Sequence, residues 1–176
     1  MEVCFVLCCI IIIDIIQLSD HCTLSIREFL GMGGYSIVFK CDSQSNDSVV
    51  QSVAIKINKY TSNYNMSYYN HIIQERERLK YLHHPYFIQY ISDLPKFSNE
   101  VTGYVMEYIE GESLTHYIQR MSEGRQRPGL TETEILPLLY QLVQALNYLE
   151  DIHYVHLYSL FYCFGSIEIS NPIIFY

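Results

Sequence analysis

Basic residues are scarce in this chain of 176 residues. It carries 11 Lys and Arg against 19 Asp and Glu, which gives a formal net charge of -8 at pH 7. We therefore expect no nucleic acid partner, because phosphate binding needs clustered Lys and Arg. The one basic cluster, Arg76, Arg78 and Lys80, alternates with Glu75 and Glu77. We interpret it as the solvated face of a helix.

The cysteines have no spacing that suggests a disulfide scaffold or a zinc site. Small disulfide-rich domains and zinc fingers need closely spaced pairs, whereas these residues are scattered. The histidines at 83, 84, 153 and 156 have no Cys partner at finger spacing, so we expect no metal site. A reducing compartment, the cytoplasm, is the expected location. The six cysteines are Cys4, Cys8, Cys9, Cys22, Cys41 and Cys163.

An apolar run long enough to span a bilayer is also lacking. Residues 3–13 are continuously apolar and Ile15-Ile16 follow Asp14, but a spanning helix needs about 20 residues. The run has no basic flank and no small-residue cleavage site, which a signal peptide usually has. Four interpretations of residues 1–20 stay open: a buried strand added to a sheet, a segment foreign to the natural protein, a signal peptide, or a membrane attachment through residues 3–16.

The first half of the chain has the pattern of an antiparallel sheet. Apolar residues make up 49% of the chain and charged residues 17%, which indicates one folded domain with a core. Short β-prone runs alternate with Gly, Asn, Asp and Ser, as in hairpins. Loops or breaks are predicted at 18–20, 42–48 and 60–69. The predicted strands cover about 24–30, 37–39, 49–57, 87–92 and 103–108.

Helices are predicted around and after these strands. One covers about 71–82 and is followed by Pro85 as a stop signal. A short helix is predicted at about 113–121. A long one begins near Thr131, which has capping-box spacing to Glu134. Pro137 suits only a first turn, which favours a start later than Thr131. The sequence thus predicts an α+β arrangement.

A glycine-rich turn lies between two of the predicted strands. Gly31, Gly33 and Ser36 form the pattern Gly-x-Gly-x-x-Ser. Such a turn lets backbone N–H groups approach phosphates with no side chain in the way. A Rossmann turn would be followed by a helix, whereas a strand follows here. Taken alone, the pattern is a weak signal.

Lys56 lies 20 residues after Ser36, near the end of a strand. A lysine at a buried strand end is costly unless it is paired with a carboxylate. Glu75 on the next predicted helix is a natural partner, and Glu77 is the competing candidate. Taken alone, Lys56 is better explained as an exposed charge at the strand end.

The order of these features resembles the ATP-binding lobe of the protein kinase family. Its members share the glycine-rich turn, a strand lysine as in Val53-Ala54-Ile55-Lys56, a helix glutamate, and a strand such as Val105-Met106-Glu107-Tyr108. The resemblance covers about 29–156. It implies a kinase-like N-lobe, made of an antiparallel sheet plus one helix, and the first helices of a truncated helical C-lobe. The implied domains are an apolar segment at 1–20, the N-lobe at 21–110, the start of the C-lobe at 111–156 and an apolar tail at 157–176.

The resemblance also implies how ATP would be held. Lys56 would hold the α- and β-phosphates and pair with Glu75, whose distance to Pro85 matches the family better than that of Glu77. Ser36 stands where a third glycine is commonest in the family. Its side chain is small, so the turn can still cover the phosphates. At the adenine end, Met106 would be the gatekeeper, the backbones of Glu107 and Ile109 would bind the ring edge, and Val38 and Ala54 would sandwich the ring.

The resemblance stops before the catalytic residues of the family. Tyr154-Val155-His156 matches the approach to the family's catalytic loop, where His-Arg-Asp supplies the Asp that orients the substrate hydroxyl. Leu157 and Tyr158 stand at the Arg and Asp positions, and tyrosine cannot replace a carboxylate at neutral pH. No Asp follows Asp151, so no Asp-Phe-Gly supplies a magnesium ligand. We therefore expect ATP as cofactor, Mg for the family but without its ligands, and no catalytic residue.

Several interpretations of this break stay open. The true reading frame can depart from this sequence after His156, in which case the protein is a complete kinase that transfers phosphate from ATP to protein Ser or Thr. Alternatively, the chain is a truncated pseudokinase that binds nucleotide or a partner without catalysis. A third hypothesis is an interaction module attached to membranes through residues 3–16. The sequence does not specify a protein substrate.

Overall fold

The computed structural model describes residues 15–19, 21–33, 36–45, 49–59, 66–95, 101–125, 129–152 and 173–174. The chain divides into two compact units. The first comprises Met1–Tyr81 with Tyr90–Tyr108, and the second comprises Leu82–Gln89 with Ile109–Tyr176. The predictions for the apolar run at 3–13 and for the segment 153–158 fall outside the described residues.

Six strands of the described first unit form one antiparallel sheet in the order β1-β2-β3-β4-β6-β5. The sheet and the helix that follows β4 confirm the predicted α+β fold, a kinase-like N-lobe followed by the first helices of a C-lobe. The strands are β1 (Ile15–Ser19), β2 (Cys22–Met32), β3 (Ser36–Ser45), β4 (Gln51–Lys59), β5 (Tyr90–Asp93) and β6 (Val101–Glu107).

Alternation of side chains gives the sheet one apolar face. On β4, Val53, Ile55 and Ile57 are buried on the same side, because successive side chains of a strand point to opposite faces. They join Ile37 and Phe39 of β3 in the core of this unit. Ala54 and Lys56 therefore lie on the opposite face, and this arrangement positions the candidate site.

Strand β1 corrects the predicted break at 18–20. Ile15–Ser19 pairs antiparallel with β2, and Ile16 is buried at 3% exposure in the core cluster. Leu18 packs against the same cluster. The two apolar side chains alternate with Gln17 and Ser19, which are exposed. Backbone pairing with β2 and the alternation of buried and exposed side chains thus show that these residues form an edge strand rather than a linker.

Strand β3 is also longer than predicted. Residues 42–45 continue it and pair with β2, and Asp42 and Ser43 also pair with β4. The carboxylate of Asp42 accepts a hydrogen bond from Arg27 of β2 at 2.7 Å. Backbone pairing on both sides therefore outweighs the turn preference of Asp and Ser here.

Helix α1 (Met66–Leu79) begins earlier than predicted, inside the segment expected to be a loop. Leu79 is buried, and the helix ends before Pro85. Arg76 and Lys80 are both a quarter exposed and both bind Asp93 of β5, at 3.3 and 3.2 Å. The basic cluster is therefore not a freely solvated face but ties the helix to the sheet.

The second unit contains α2 (Leu114–Ser122), α3 (Glu132–Asp151) and the short parallel pair of β7 (Glu112–Ser113) with β8 (Ile173–Ile174). Tyr117 and Leu138 form its described core cluster. Ser113 caps α2 by accepting the His116 N–H at 3.2 Å. In the described ranges no helix combines the length and apolarity needed to cross a membrane.

The start of α3 corrects the expectation drawn from Pro137. The helix begins at Glu132, and Glu134 accepts the Thr131 N–H at 2.8 Å, as the capping-box spacing predicts. Pro137 lies inside the helix and lacks the N–H that would bond to Thr133. Thr133 is exposed, so solvent can satisfy its carbonyl near the helix start.

The loop 82–89 is attached to the last turns of α3. The His83 N–H donates to the Tyr148 hydroxyl at 3.0 Å, and the rings of His84 and Tyr148 stack with centroids 4.9 Å apart. The Phe87 ring lies 5.9 Å from that of Tyr148. One tyrosine thus anchors both the backbone and the rings of this loop.

Candidate functional site

The register of the sheet places several predicted site residues side by side. Val38 of β3 is the direct partner of Lys56 on β4, and Lys56 is the direct partner of Tyr104 on β6. In the adjacent row, Ala54 opposes Met106. Directly opposed residues of neighbouring strands share a face. Val38, Ala54 and Met106 are buried at 5%, 2% and 4% exposure, so this face has an apolar wall beside Lys56, with Lys40 opposite Ala54 in the next row.

Lys56 forms an ion pair with helix α1. Its Nζ donates to Oε1 of Glu75 at 2.5 Å, and the two side chains are 20% and 16% exposed. The same carboxylate oxygen accepts the hydroxyl of Tyr104 at 2.9 Å. A half-buried lysine thus has the carboxylate partner that its environment requires.

Glu77, the competing candidate, has different partners. Its carboxylate accepts hydrogen bonds from Lys80 at 2.9 Å and from Arg76 at 3.0 Å. These bonds, that of Lys80 first, lower the pKa of Glu77 below its usual range. Of the two glutamates, the structure therefore brings Glu75 to Lys56.

The glycine-rich turn connects β2 and β3 next to Lys56. Gly31 opposes Val38, and the Gly33 N–H donates to the Ser36 carbonyl at 2.9 Å. A Cβ at Gly31 would meet no atom within 4 Å, and at Gly33 the nearest would be Oγ of Ser36 at 3.6 Å. Packing within the described protein therefore does not require glycine here. The open space fits a group that approaches the backbone from outside.

The predicted adenine contacts are only partly on this face. Glu107 ends β6 opposite Val53, next to Met106. Ile109 belongs to the second unit and is the one predicted site residue outside the first. The catalytic positions, Leu157 and Tyr158, lie outside the described residues. Within the part of the chain that the structure describes, no group of His, Cys, Asp and Glu could hold a metal ion.

Sequence reasoning missed Tyr104. The signal was available, because Tyr104 precedes Met106 by two positions on a strand and so must share its face. Its side chain is 1% exposed and contacts the carboxylate of Glu75. It was missed because the resemblance gives roles to Met106, Glu107 and Ile109 in this segment and none to Tyr104. Elsewhere in this unit, the Nζ of Lys40 lies 4.2 Å from the centre of the Tyr108 ring.

Comparison with known proteins agrees with this geometry. A family model for the protein kinase domain matches residues 24–157, more than half of the chain. The chain is 31% identical over 144 residues to serine/threonine-protein kinase tousled-like 2 of Xenopus tropicalis, covering 77% of this chain and 19% of that protein. It is 33% identical over 134 residues to the probable serine/threonine-protein kinase YbdM of Bacillus subtilis, covering 72% and 45%. The chain thus spans about a fifth of the length of its tousled-like relatives. Together with the sheet, the helix and the Lys56–Glu75 pair, the match makes this chain a member of the protein kinase family.

Proposed function

We propose that this chain binds ATP on the face of the sheet that carries Lys56. The pair formed by Lys56 and Glu75 is the observation that carries the proposal. Glu75 compensates the burial of the Lys56 side chain, which is 20% exposed, and holds its ammonium on this face. An ammonium has three N–H donors, so Lys56 can also bind an anionic group such as the phosphates of ATP.

The remaining residues fit the other parts of the nucleotide. Val38, Ala54 and Met106 offer a buried apolar wall that suits a flat ring such as adenine. The space above Gly31 and Gly33 suits phosphate oxygens, which the N–H groups of the turn can bind. The backbones of Glu107 and Ile109 would hydrogen-bond the edge of the ring. ATP, when bound, supplies the phosphoryl group that kinases transfer.

We further propose that the chain as written does not catalyse phosphoryl transfer. Leu157 and Tyr158 stand where the family places Arg and Asp, and neither supplies a carboxylate for the substrate hydroxyl. The family match also ends at residue 157. The chain would then act as a pseudokinase. If its transcript instead continues from His156 into Arg-Asp, the serine/threonine kinases among its relatives favour transfer to Ser or Thr.

Calorimetric titration with ATP and with adenosine tests nucleotide binding. We expect ATP to bind at least about tenfold more tightly, because charge-assisted bonds to Lys56 and to the turn require phosphates. Gly31→Ala should weaken this preference without lowering the adenosine affinity or the unfolding midpoint, because the variant adds only a Cβ and nothing lies within 4 Å of it. Equal affinity for the two ligands, or no binding, would contradict the proposal.

Two further measurements test the lack of catalysis and the location. Sequencing the transcript across the His156 codon distinguishes a genuine Leu157-Tyr158 from a complete kinase. Incubation with radiolabelled ATP and a mixed protein substrate should give no transfer if Leu157-Tyr158 is genuine. We also propose a cytoplasmic location, for which all of the natural protein should appear in the soluble fraction. Recovery in the membrane fraction would favour attachment through residues 3–16.

A further inference from the structure

Tyr104 lies in the same cross-strand row as Lys56 and is almost fully buried, at 1% exposure. Its hydroxyl donates to Oε1 of Glu75 at 2.9 Å, and that oxygen also accepts the ammonium of Lys56 at 2.5 Å. We propose that Tyr104 is a positioning residue that fixes the Glu75 carboxylate and, through it, the phosphate-binding ammonium of Lys56. This inference rests on the proposed function, since it concerns the ATP affinity that Lys56 provides.

The physical reason is the number of directions from which the carboxylate is held. With Lys56 alone, one flexible ammonium stem and one glutamate side chain could rotate together and keep their contact. A hydroxyl on the rigid ring of Tyr104 adds a donor from a second strand, whose spacing from β4 is set by backbone pairing. A hydrogen bond to a charged group is also stronger than a neutral one. The position of the Glu75 carboxylate is therefore defined by two neighbouring strands.

Asp93 is the next residue in this cross-strand row, and it contacts the same helix through separate ion pairs. Asp93 of β5 is the direct partner of Tyr104, and it pairs with Arg76 of α1 and with Lys80 directly after that helix. Three neighbouring strands thus present Lys56, Tyr104 and Asp93 to one helix. Loss of the Tyr104 hydroxyl should leave the helix attached through Asp93 but release the Glu75 carboxylate. The expected effect is on nucleotide affinity more than on folding.

A double-mutant cycle in the full chain tests this role. The four proteins are the wild type, Tyr104→Phe, Glu75→Ala and the double variant, each titrated with ATP and unfolded in urea. We expect Tyr104→Phe to weaken ATP binding about three- to tenfold in the wild type and to have no further effect when Glu75 is Ala. Tyr117→Phe is the matched control, because Tyr117 is also buried, at 5% exposure, but lies in the second unit. It should leave ATP affinity unchanged.

The outcomes separate this inference from the proposed function. A structural effect of Tyr104→Phe would persist in the Glu75→Ala background, so equal losses in both backgrounds would overturn the positioning role while ATP binding stands. Unchanged affinity of Tyr104→Phe would overturn it as well. Failure of the wild type to bind ATP would overturn the proposed function and the inference with it. Loss of affinity confined to the background that contains Glu75 supports the positioning role.

Discussion

Gly103 of β6 packs against the backbone of β4 at the position of Lys56. A Cβ built on Gly103 would lie 2.6 Å from the Lys56 carbonyl oxygen, 2.8 Å from Cδ1 of Leu94 and 3.3 Å from Cα of Ile57. The tip of Leu94 can move aside, but the two backbone atoms belong to the paired strand. Gly103→Ala must therefore push β4 and β6 apart.

The size of the effect follows from these contacts. Overpacking typically costs about 1 to 3 kcal/mol, and a clash with backbone belongs at the upper end. Replacing Gly by Ala gains about 0.4 to 1 kcal/mol from the lower entropy of the unfolded chain. We expect a net loss of about 2 kcal/mol, which lowers the melting temperature by about 4 to 8 °C for a chain of this size. ATP binding should weaken as well, because the displaced carbonyl is that of Lys56 itself.

Thermal and urea unfolding measure this loss directly. Gly31→Ala is the matched control, since a Cβ there meets nothing within 4 Å. With no clash to oppose the entropic gain, its stability should equal that of the wild type or exceed it by up to about 1 kcal/mol. A Gly103→Ala protein as stable as the wild type would refute the close approach of the two strands. Equal destabilisation of both variants would attribute the effect to glycine content rather than to packing.

Three further predictions concern other parts of the structure. Tyr148→Phe removes the acceptor of the His83 N–H and should lower the unfolding free energy by about 1 kcal/mol in urea, whereas an unchanged value would mean that solvent replaces this bond. Burial, followed by the charge of Asp42, raises the pKa of Cys41 to about 12, so peptide mass spectrometry should find it unalkylated by iodoacetamide at about pH 8 until the protein unfolds, while half-buried Cys22 reacts. Burial lowers the pKa of His84 below 6.5, and its Nδ1 accepts the Tyr86 N–H at 3.2 Å, which requires that nitrogen to be unprotonated. The unfolded state then binds more protons, so the unfolding free energy should fall as the pH drops through about 6.5, and His84→Gln should flatten this slope.

The α+β arrangement could be predicted from local periodicity, whereas the choice of Glu75 over Glu77 as the partner of Lys56 came from the resemblance to the protein kinase family. A strand alternates with period 2, so Ala54 and Lys56 had to share a face opposite Val53 and Ile55. That this face binds ATP stays a prediction. Alternation along β6 places Tyr104 on the face of Met106, but its position beside Lys56 depends on the pairing register of β4 with β6, which connects residues 48 positions apart. Tertiary pairing sets this register, and a single sequence motif does not specify it.

The element boundaries that differ from prediction have related causes. Ile15–Ser19 looks like the end of an apolar run followed by a polar break, but antiparallel pairing with β2 makes it an edge strand. Helix α1 starts at Met66 in a segment rich in Tyr and Asn, whose intrinsic helix propensity is modest. Pro137 remains inside α3 because only one bond is lost near its start. For β1, pairing with a neighbouring strand thus outweighs a weak local preference.

The most direct test of the central claim is the ATP affinity of Lys56→Met beside Lys80→Met. Both lysines are partly buried and paired with carboxylates, Lys56 with Glu75 and Lys80 with Glu77 and Asp93. Of these two lysines, Lys56 alone lies on the face with Val38 and Ala54. We expect at least a loss of about tenfold in ATP affinity for Lys56→Met and little change for Lys80→Met. Equal affinity of Lys56→Met and the wild type would contradict it.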